Sequence, residues 1–156
     1  MRTMKKLIPA VLAAILLLTA CGGEEAVSLN MDNLANRLMQ EITYEDTISE
    51  TTPEMAQMLY GYADGQVVNC KVIISAGATT EEIAIFECAD DQAVADVEAG
   101  AKARIEAQKV SVQSYKPEEM TRLDAAIVQV SAPYVIVSIS SDSSTAQTII
   151  DEALGK

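Results

Sequence analysis

VVNCKVIISA at residues 67–76 and EIAIFECA at residues 82–89, separated by Gly77-Ala78-Thr79-Thr80, decide the fold. Both runs are short and rich in β-branched residues, and a glycine-bearing break of this length between them predicts a β-hairpin. Pairing residues whose numbers sum to 158 sets Lys71 opposite Glu87, Val72 opposite Phe86, Ile73 opposite Ile85 and Cys70 opposite Cys88. In that register opposite charges and apolar side chains meet across the strands. Val68, Cys70, Val72, Ile74, Ala84, Phe86 and Cys88 then share one apolar face, and Asn69, Lys71, Ser75 and Glu87 lie on the other.

Before the hairpin, Met31, Leu34, Leu38 and Ile42 recur at helical spacing, with Asn30 or Asp32 able to cap, so a helix is expected over about 31–42. The following stretch, Tyr44 to Thr52, is polar. Thr52-Pro53 then reads as an N-cap with proline at the first helical position, leading into Met55, Met58 and Leu59. Such a methionine-rich stripe can form an adaptable binding surface, but core packing is its commoner use.

After the hairpin, Asp90 opens a long helical stretch to about Tyr115, with Val94, Val97, Ala101, Ile105, Val112 and Tyr115 near one stripe. Lys116-Pro117 breaks it, and a short helix with Glu118 and Glu119 at its positive end runs toward Ala126. Ile127 to Val130 and Tyr134 to Ile139, divided by Ser131-Ala132-Pro133, form a second hairpin. Asp142 or Ser143 caps a last helix, Thr145 to Leu154, which Gly155 ends. The expected fold is α+β: a small antiparallel sheet from two β-hairpins packed against a long helix on one face, with flanking short helices.

The chain opens with the basic MRTMKK, an apolar run from Leu7 to Leu18, and Leu18-Thr19-Ala20-Cys21. Basic, apolar and small-residue regions in this order form an export signal, and the run is too short to cross ~30 Å of hydrocarbon. Leu-Thr-Ala-Cys resembles the bacterial lipobox, in which the cysteine receives diacylglycerol and becomes the mature N-terminus. An ordinary secretory peptide with a chance cysteine is the rival reading. Burial is worth ~0.8 kcal/mol per methylene, and one acyl chain holds a protein only reversibly, which is why such anchors carry more than one. The expected organisation is a signal peptide over 1–20, a tether over 21–30 and a single α+β domain over 31–156. Localisation to the extracytoplasmic face of the cell membrane, lipid-anchored through Cys21, follows.

The 156 residues carry 11 basic and 23 acidic side chains, a formal charge of −12 that deepens by three when Arg2, Lys5 and Lys6 leave with the signal. Nucleic acid binding needs a basic footprint, so nucleic acid is rejected as a partner. The same charge repels anionic head groups, so membrane attachment rests on the lipid. Histidine and tryptophan are both absent. Without histidine there is no Ser-His-Asp or Cys-His nucleophile, and two cysteines beyond Cys21 cannot build a Cys-rich zinc site.

Cys70 and Cys88, opposite one another in the inferred register, are a candidate disulfide in an exported protein; two buried free thiols are the alternative. Paired acids at Glu24-Glu25, Glu81-Glu82, Asp90-Asp91 and Glu118-Glu119 are oxygen-rich, yet none has the spacing of a calcium loop. A pair of carboxylates of the kind used by glycosidases needs only to meet in space, and no spacing singles out two residues. The hydroxyl-rich run from Ser138 to Ser144 is read as a strand end leading into a capped helix. No catalytic residue, metal ligand or cofactor is assigned.

SAGATTEEIAIF at 75–86 and QSYKPEEM at 113–120, with the final hairpin containing Tyr134-Val135, resemble the family of Gram-positive bacterial lipoproteins known as domain of unknown function 4358. The resemblance covers roughly residues 31–155 and implies a surface lipoprotein with one small domain. It brings no established activity or catalytic residues, and Cys70 and Cys88 are not part of the family's pattern. The expected function is non-catalytic binding of an envelope protein or a small ligand. An enzyme using carboxylates or a metal is the first alternative, and an accessory subunit of an envelope complex is the second.

Overall fold

A computed structural model describes residues 28–156. The expected signal peptide, Cys21 and most of the expected tether lie outside the described residues. The order is α1 (Met31–Glu41), β1 (Ile48–Glu50), α2 (Pro53–Tyr60), β2 (Val67–Ser75), β3 (Glu82–Cys88), α3 (Asp91–Val112), α4 (Glu119–Asp124), β4 (Ile127–Ser131), β5 (Tyr134–Ile139) and α5 (Ser143–Ala153). The helix starts are fixed by side-chain caps, because the first N–H groups of a helix have no partner within it. Asn30 accepts from Asn33 N–H, Thr52 from Met55 N–H, Asp90 from Ala93 N–H and Asp142 from Thr145 N–H.

The two expected hairpins, β2-β3 and β4-β5, join through antiparallel β3-β5 pairing, giving the strand order β1-β2-β3-β5-β4. The class is α+β. Strand β1 is an addition to the expected sheet. Its three residues, Ile-Ser-Glu, are too few to show alternation, and they pair with Ile73, Ile74 and Ser75.

The inferred β2-β3 register is corrected by two residues: Lys71 pairs with Ile85, Val72 with Ala84, Ile73 with Ile83 and Cys70 with Phe86, and a bulge falls between Val67 and Asn69. A slip of two keeps every side chain on its face, so the apolar pattern alone cannot detect it. The turn decides instead. Ser75 Oγ accepts from Gly77 and Thr79 N–H, and Ser75 N–H donates to Glu81 carbonyl oxygen. Cys70 and Cys88 become diagonal neighbours, a relation that holds Cα atoms roughly 7–8 Å apart, beyond ordinary disulfide reach. Both are free thiols, which corrects the candidate bridge.

Helices cover both faces of the sheet rather than one. On one face Val72, Ala84, Phe86, Val135, Val137 and Ile139 meet Val97, Ala101 and Ile105 of α3 and Tyr60 of α2. On the other, Ile73, Ile83, Ile85 and Ile136 meet Leu34 and Leu38 of α1 and Ile149 and Ile150 of α5. Strands β3 and β5 are central and carry apolar residues at both parities, as strands buried on two faces do. The isoleucines at 73, 83 and 85 mark the second core. The methionine stripe of α2 is not core: Met58 is 68% exposed and Met55 39%, while Ala56 and Tyr60 face inward.

Helices α2 and α3 meet at Gly100, where an added Cβ would lie 2.0 Å from Tyr60 carbonyl oxygen. Backbone cannot yield as a flexible side chain can, so α3 has to separate from α2 to admit a methyl group. Gly100→Ala is expected to lower stability by about 1–3 kcal/mol despite the better helix propensity of alanine. Urea unfolding midpoints check this, and an unchanged or raised midpoint would show that the contact is looser than described.

Candidate functional site

Glu81 immediately precedes strand β3 and Glu82 opens it, and each is only 1% exposed. Successive residues of an extended chain point to opposite faces, so the two carboxylates need separate partners. Glu82 faces α3. Arg104 grips it in two parallel bonds, Nε to Oε1 at 2.9 Å and Nη2 to Oε2 at 2.7 Å, and Tyr60 hydroxyl donates at 2.6 Å. The Arg104 guanidinium also sits 5.6 Å from the Tyr60 ring centroid, and that ring meets Phe86 edge-on at 4.6 Å. Burial first, and then the Glu82 charge, push the Tyr60 hydroxyl well above its ordinary pKa, so it stays a proton donor.

Glu81 faces the other way. It accepts from Glu45 N–H at 2.9 Å, Asp46 N–H at 3.0 Å and Thr79 hydroxyl at 2.8 Å. Arg122 of α4 lies 3.8 Å away, donates to Glu119 at 2.5 Å through Nη1 and reaches Glu45 at 2.7 Å through Nη2. Glu119 in turn accepts from Thr80 N–H at 2.8 Å and Thr80 hydroxyl at 2.7 Å. Asp46 accepts from Ala78 N–H, and Lys116 Nζ donates to Ala78 carbonyl oxygen. The 75–86 and 113–120 stretches quoted above are thus one assembly in space: a turn, the loop after α1 and the start of α4, latched around Arg122.

Desolvation pushes the Glu119 carboxyl up, but the bonds from Arg122 and from Thr80 together outweigh it and hold the carboxyl below the usual glutamate range. Burial, then the charge of Glu81, raises Tyr44 hydroxyl. Among the described residues that hydroxyl has no hydrogen-bond partner, and neither do Arg122 Nε, Ser138 Oγ and Ser140 Oγ, all buried atoms. These atoms gather at the same end of the sheet. Ser138 pairs with Ile83 and Ser140 follows two residues on, past the Glu82–Ile139 pair. A cavity of about 240 Å³ opens there, its wall including Glu45, Glu118, Thr121, Arg122, Ser140 and Ser141.

Of the acid pairs read from the sequence, Glu81, Glu82 and Glu119 fall in this assembly and Glu118 on its rim, while Asp90 and Asp91 serve the start of α3. Glu24 and Glu25 lie outside the described residues, as does Cys21. Among the described residues no group of three or more Asp, Glu or Cys is arranged to hold a metal ion. The Ser138–Ser144 run divides: Asp142 caps α5 with Ser144 bonded to it, whereas Ser138 and Ser140 belong to the cavity end. Sequence reasoning missed Tyr60, Arg104 and Arg122. The available signal was a pair of adjacent acids at the head of an apolar strand, which requires cations from two sides. No helix among the described residues is long and apolar enough to cross a membrane.

The chain belongs to the family described as Domain of unknown function (DUF4358), which matches residues 40–140. The matched stretch spans the whole latch and ends at Ser140. No curated protein and no solved structure matches the chain.

A folded-state carboxyl held below its unfolded value contributes stability above the unfolded pKa, and that contribution is lost as pH falls through the folded one. Glu119→Gln should therefore cost about 2–3 kcal/mol at pH 7, and the gap from the parent should close below the usual glutamate range. Urea midpoints between pH 2 and pH 7 test this, and a gap independent of pH would refute it. Burial first, then Asp90, lifts the Cys88 thiol to about 11, while half-buried Cys70 lies at a cavity wall. Thiol titration of the native protein at pH 8 should label Cys70 well before Cys88, with both labelled after unfolding and no prior reduction.

Proposed function

We propose that this protein is an extracytoplasmic lipoprotein, anchored by acylated Cys21, whose domain works by binding rather than by catalysis. The anchor rests on the order of basic, apolar and Leu18-Thr19-Ala20-Cys21 segments. The binding reading rests on one observation above all: the buried carboxylates are engaged by Arg104, Arg122 and backbone N–H groups, while a cavity beside them keeps unpartnered polar atoms. A general acid or base needs a proton to gain or lose near neutral pH. Glu119 is held ionised and Tyr60 is held protonated, the opposite of what proton exchange requires. Ser138 and Ser140 have no base within hydrogen-bond reach to activate them.

The accessory-subunit reading draws on a separate feature. Strand β1 covers β2 only at Ile73–Ser75, which leaves Val67–Lys71 as an open edge with Val68 67% exposed. Open edges invite a further strand, although the bulge at Val68 and the charge of Lys71 discourage it here.

Cells fed a labelled fatty acid should label the wild-type chain, and Cys21→Ser should lose the label and leave the membrane fraction. A wild-type chain without label, or a Cys21→Ser chain that keeps it, would overturn the anchor. Affinity purification of the lipidated chain from gently solubilised membranes then tests binding. A reproducible partner or a co-purifying small molecule supports it, and turnover of a model ester, amide or glycoside abolished by Glu119→Gln would favour the enzyme instead.

A further inference from the structure

Two residues that line the 240 Å³ cavity each carry a buried polar atom with no partner among the described residues: Arg122 Nε, which can only donate, and Ser140 Oγ, on a residue 2% exposed. Leaving such atoms unpaired is destabilising, so an oxygen acceptor supplied from the cavity completes the site. Charge narrows the choice further. Arg122 is the one cation on this wall, and Glu45, Glu81 and Glu119 all lie within 4 Å of it, with exposed Glu118 on the rim. Four carboxylates against one guanidinium repel a carboxylate, phosphate or sulfate and attract a cation. Glu45, with a side chain 63% exposed, and Glu118 stand where a ligand's ammonium group would sit. The volume is below that of a typical drug-sized pocket and admits only a small group.

We propose that this cavity binds a small molecule, or a terminal group, that carries a primary ammonium close to a neutral oxygen acceptor. The oxygen takes the Arg122 Nε–H and Ser140 hydroxyl bonds, and the ammonium takes Glu45 and Glu118. Both atoms are covered, so the ligand reaches them by displacing the side chains over them. The amino-terminal residue of a peptide, with its amide carbonyl, and an amino sugar, with its hydroxyls, share this chemistry. The proposal rests on the binding reading above and adds the site and the ligand class.

The test is a titration of the ¹⁵N-labelled lipidated full chain in detergent micelles, reading the Arg122 Nε–H and the Ser140 and Ser141 amide resonances. Alaninamide or glucosamine should give saturable shifts at these signals, and whichever binds more tightly identifies the source. Methylammonium and acetamide, each with half of the recognition, should bind about tenfold more weakly, and acetate should not bind. Ser140→Ala should weaken binding about fivefold with an otherwise superposable spectrum. Glu118→Gln should weaken it too while leaving the unfolding midpoint unchanged. Absence of saturable shifts with both probes would overturn the proposal, as would equal binding of acetamide or indifference to both substitutions, and would leave the cavity to water alone. A partner recovered from membranes with no shift at this site would retain the binding reading and remove only the site.

Discussion

Two adjacent carboxylates buried at the head of the central strand constrain the rest of the molecule. A buried charge is tolerated only when paired and hydrogen-bonded, and removing one partner of such a pair is far more damaging than the pair is favourable. Because Glu81 and Glu82 face opposite sides of the sheet, one cation cannot serve both. Arg104 has to come from the helix on one face and Arg122 from the helix at the sheet end, so α3 and α4 are fixed relative to β3 by charge as well as by packing. The close approach at Gly100 has the same origin. Tyr60 must reach Glu82 from α2 while Arg104 reaches it from α3, and two helices sharing a partner that small have to touch.

The apolar architecture runs on a different logic. Strands β3 and β5 separate two cores that do not share side chains, one under α2 and α3 and one under α1 and α5. Each core alone is a modest cluster for a domain of this size, and the sheet couples them because all the residues of β3 and β5 but Glu87 are buried on one side or the other. The polar assembly closes the end of this sandwich. There the strands run out, and the loop after α1, the β2-β3 turn and α4 would otherwise expose the margins of both cores.

What was legible in the sequence follows from the range of each signal. Caps, helix periods and both hairpins are local, and Asn30, Thr52, Asp90 and Asp142 sit where their side chains can reach N–H groups three residues on. Face alternation was also legible, but register was not, because a two-residue slip is invisible to alternation and is settled by Ser75 at the turn and by Asp46, which bonds to it from the loop after α1. The second core is hidden in the sequence because Ile73, Ile83 and Ile85 share their parity with Lys71 and Glu87, and a face that carries charge does not read as buried. Strand β1, three residues long, is too short to establish an alternation. Arg104 is invisible as a site residue because its partner Glu82 lies 22 positions away, and although Glu119 is a local partner of Arg122, the Glu45 that ties it to the loop after α1 lies 77 positions away.

The placement of the cavity beside the latch bears on what the site can do. Arg122 is at once the cation that neutralises the turn, through Glu119 and Glu81, and the holder of a buried, unpartnered Nε–H beside the cavity. A molecule accepting from Nε would not compete for Nη1 or Nη2, which already hold Glu119 and Glu45, so occupancy adds to the latch instead of dismantling it. Any ligand that binds only the folded state raises its stability by mass action. Here the gain would fall on the segments from 43 to 47, 75 to 82 and 116 to 122, which side-chain bonds tie to one another. Those segments, and not the two apolar cores, are therefore where binding at this end of the sheet would be felt.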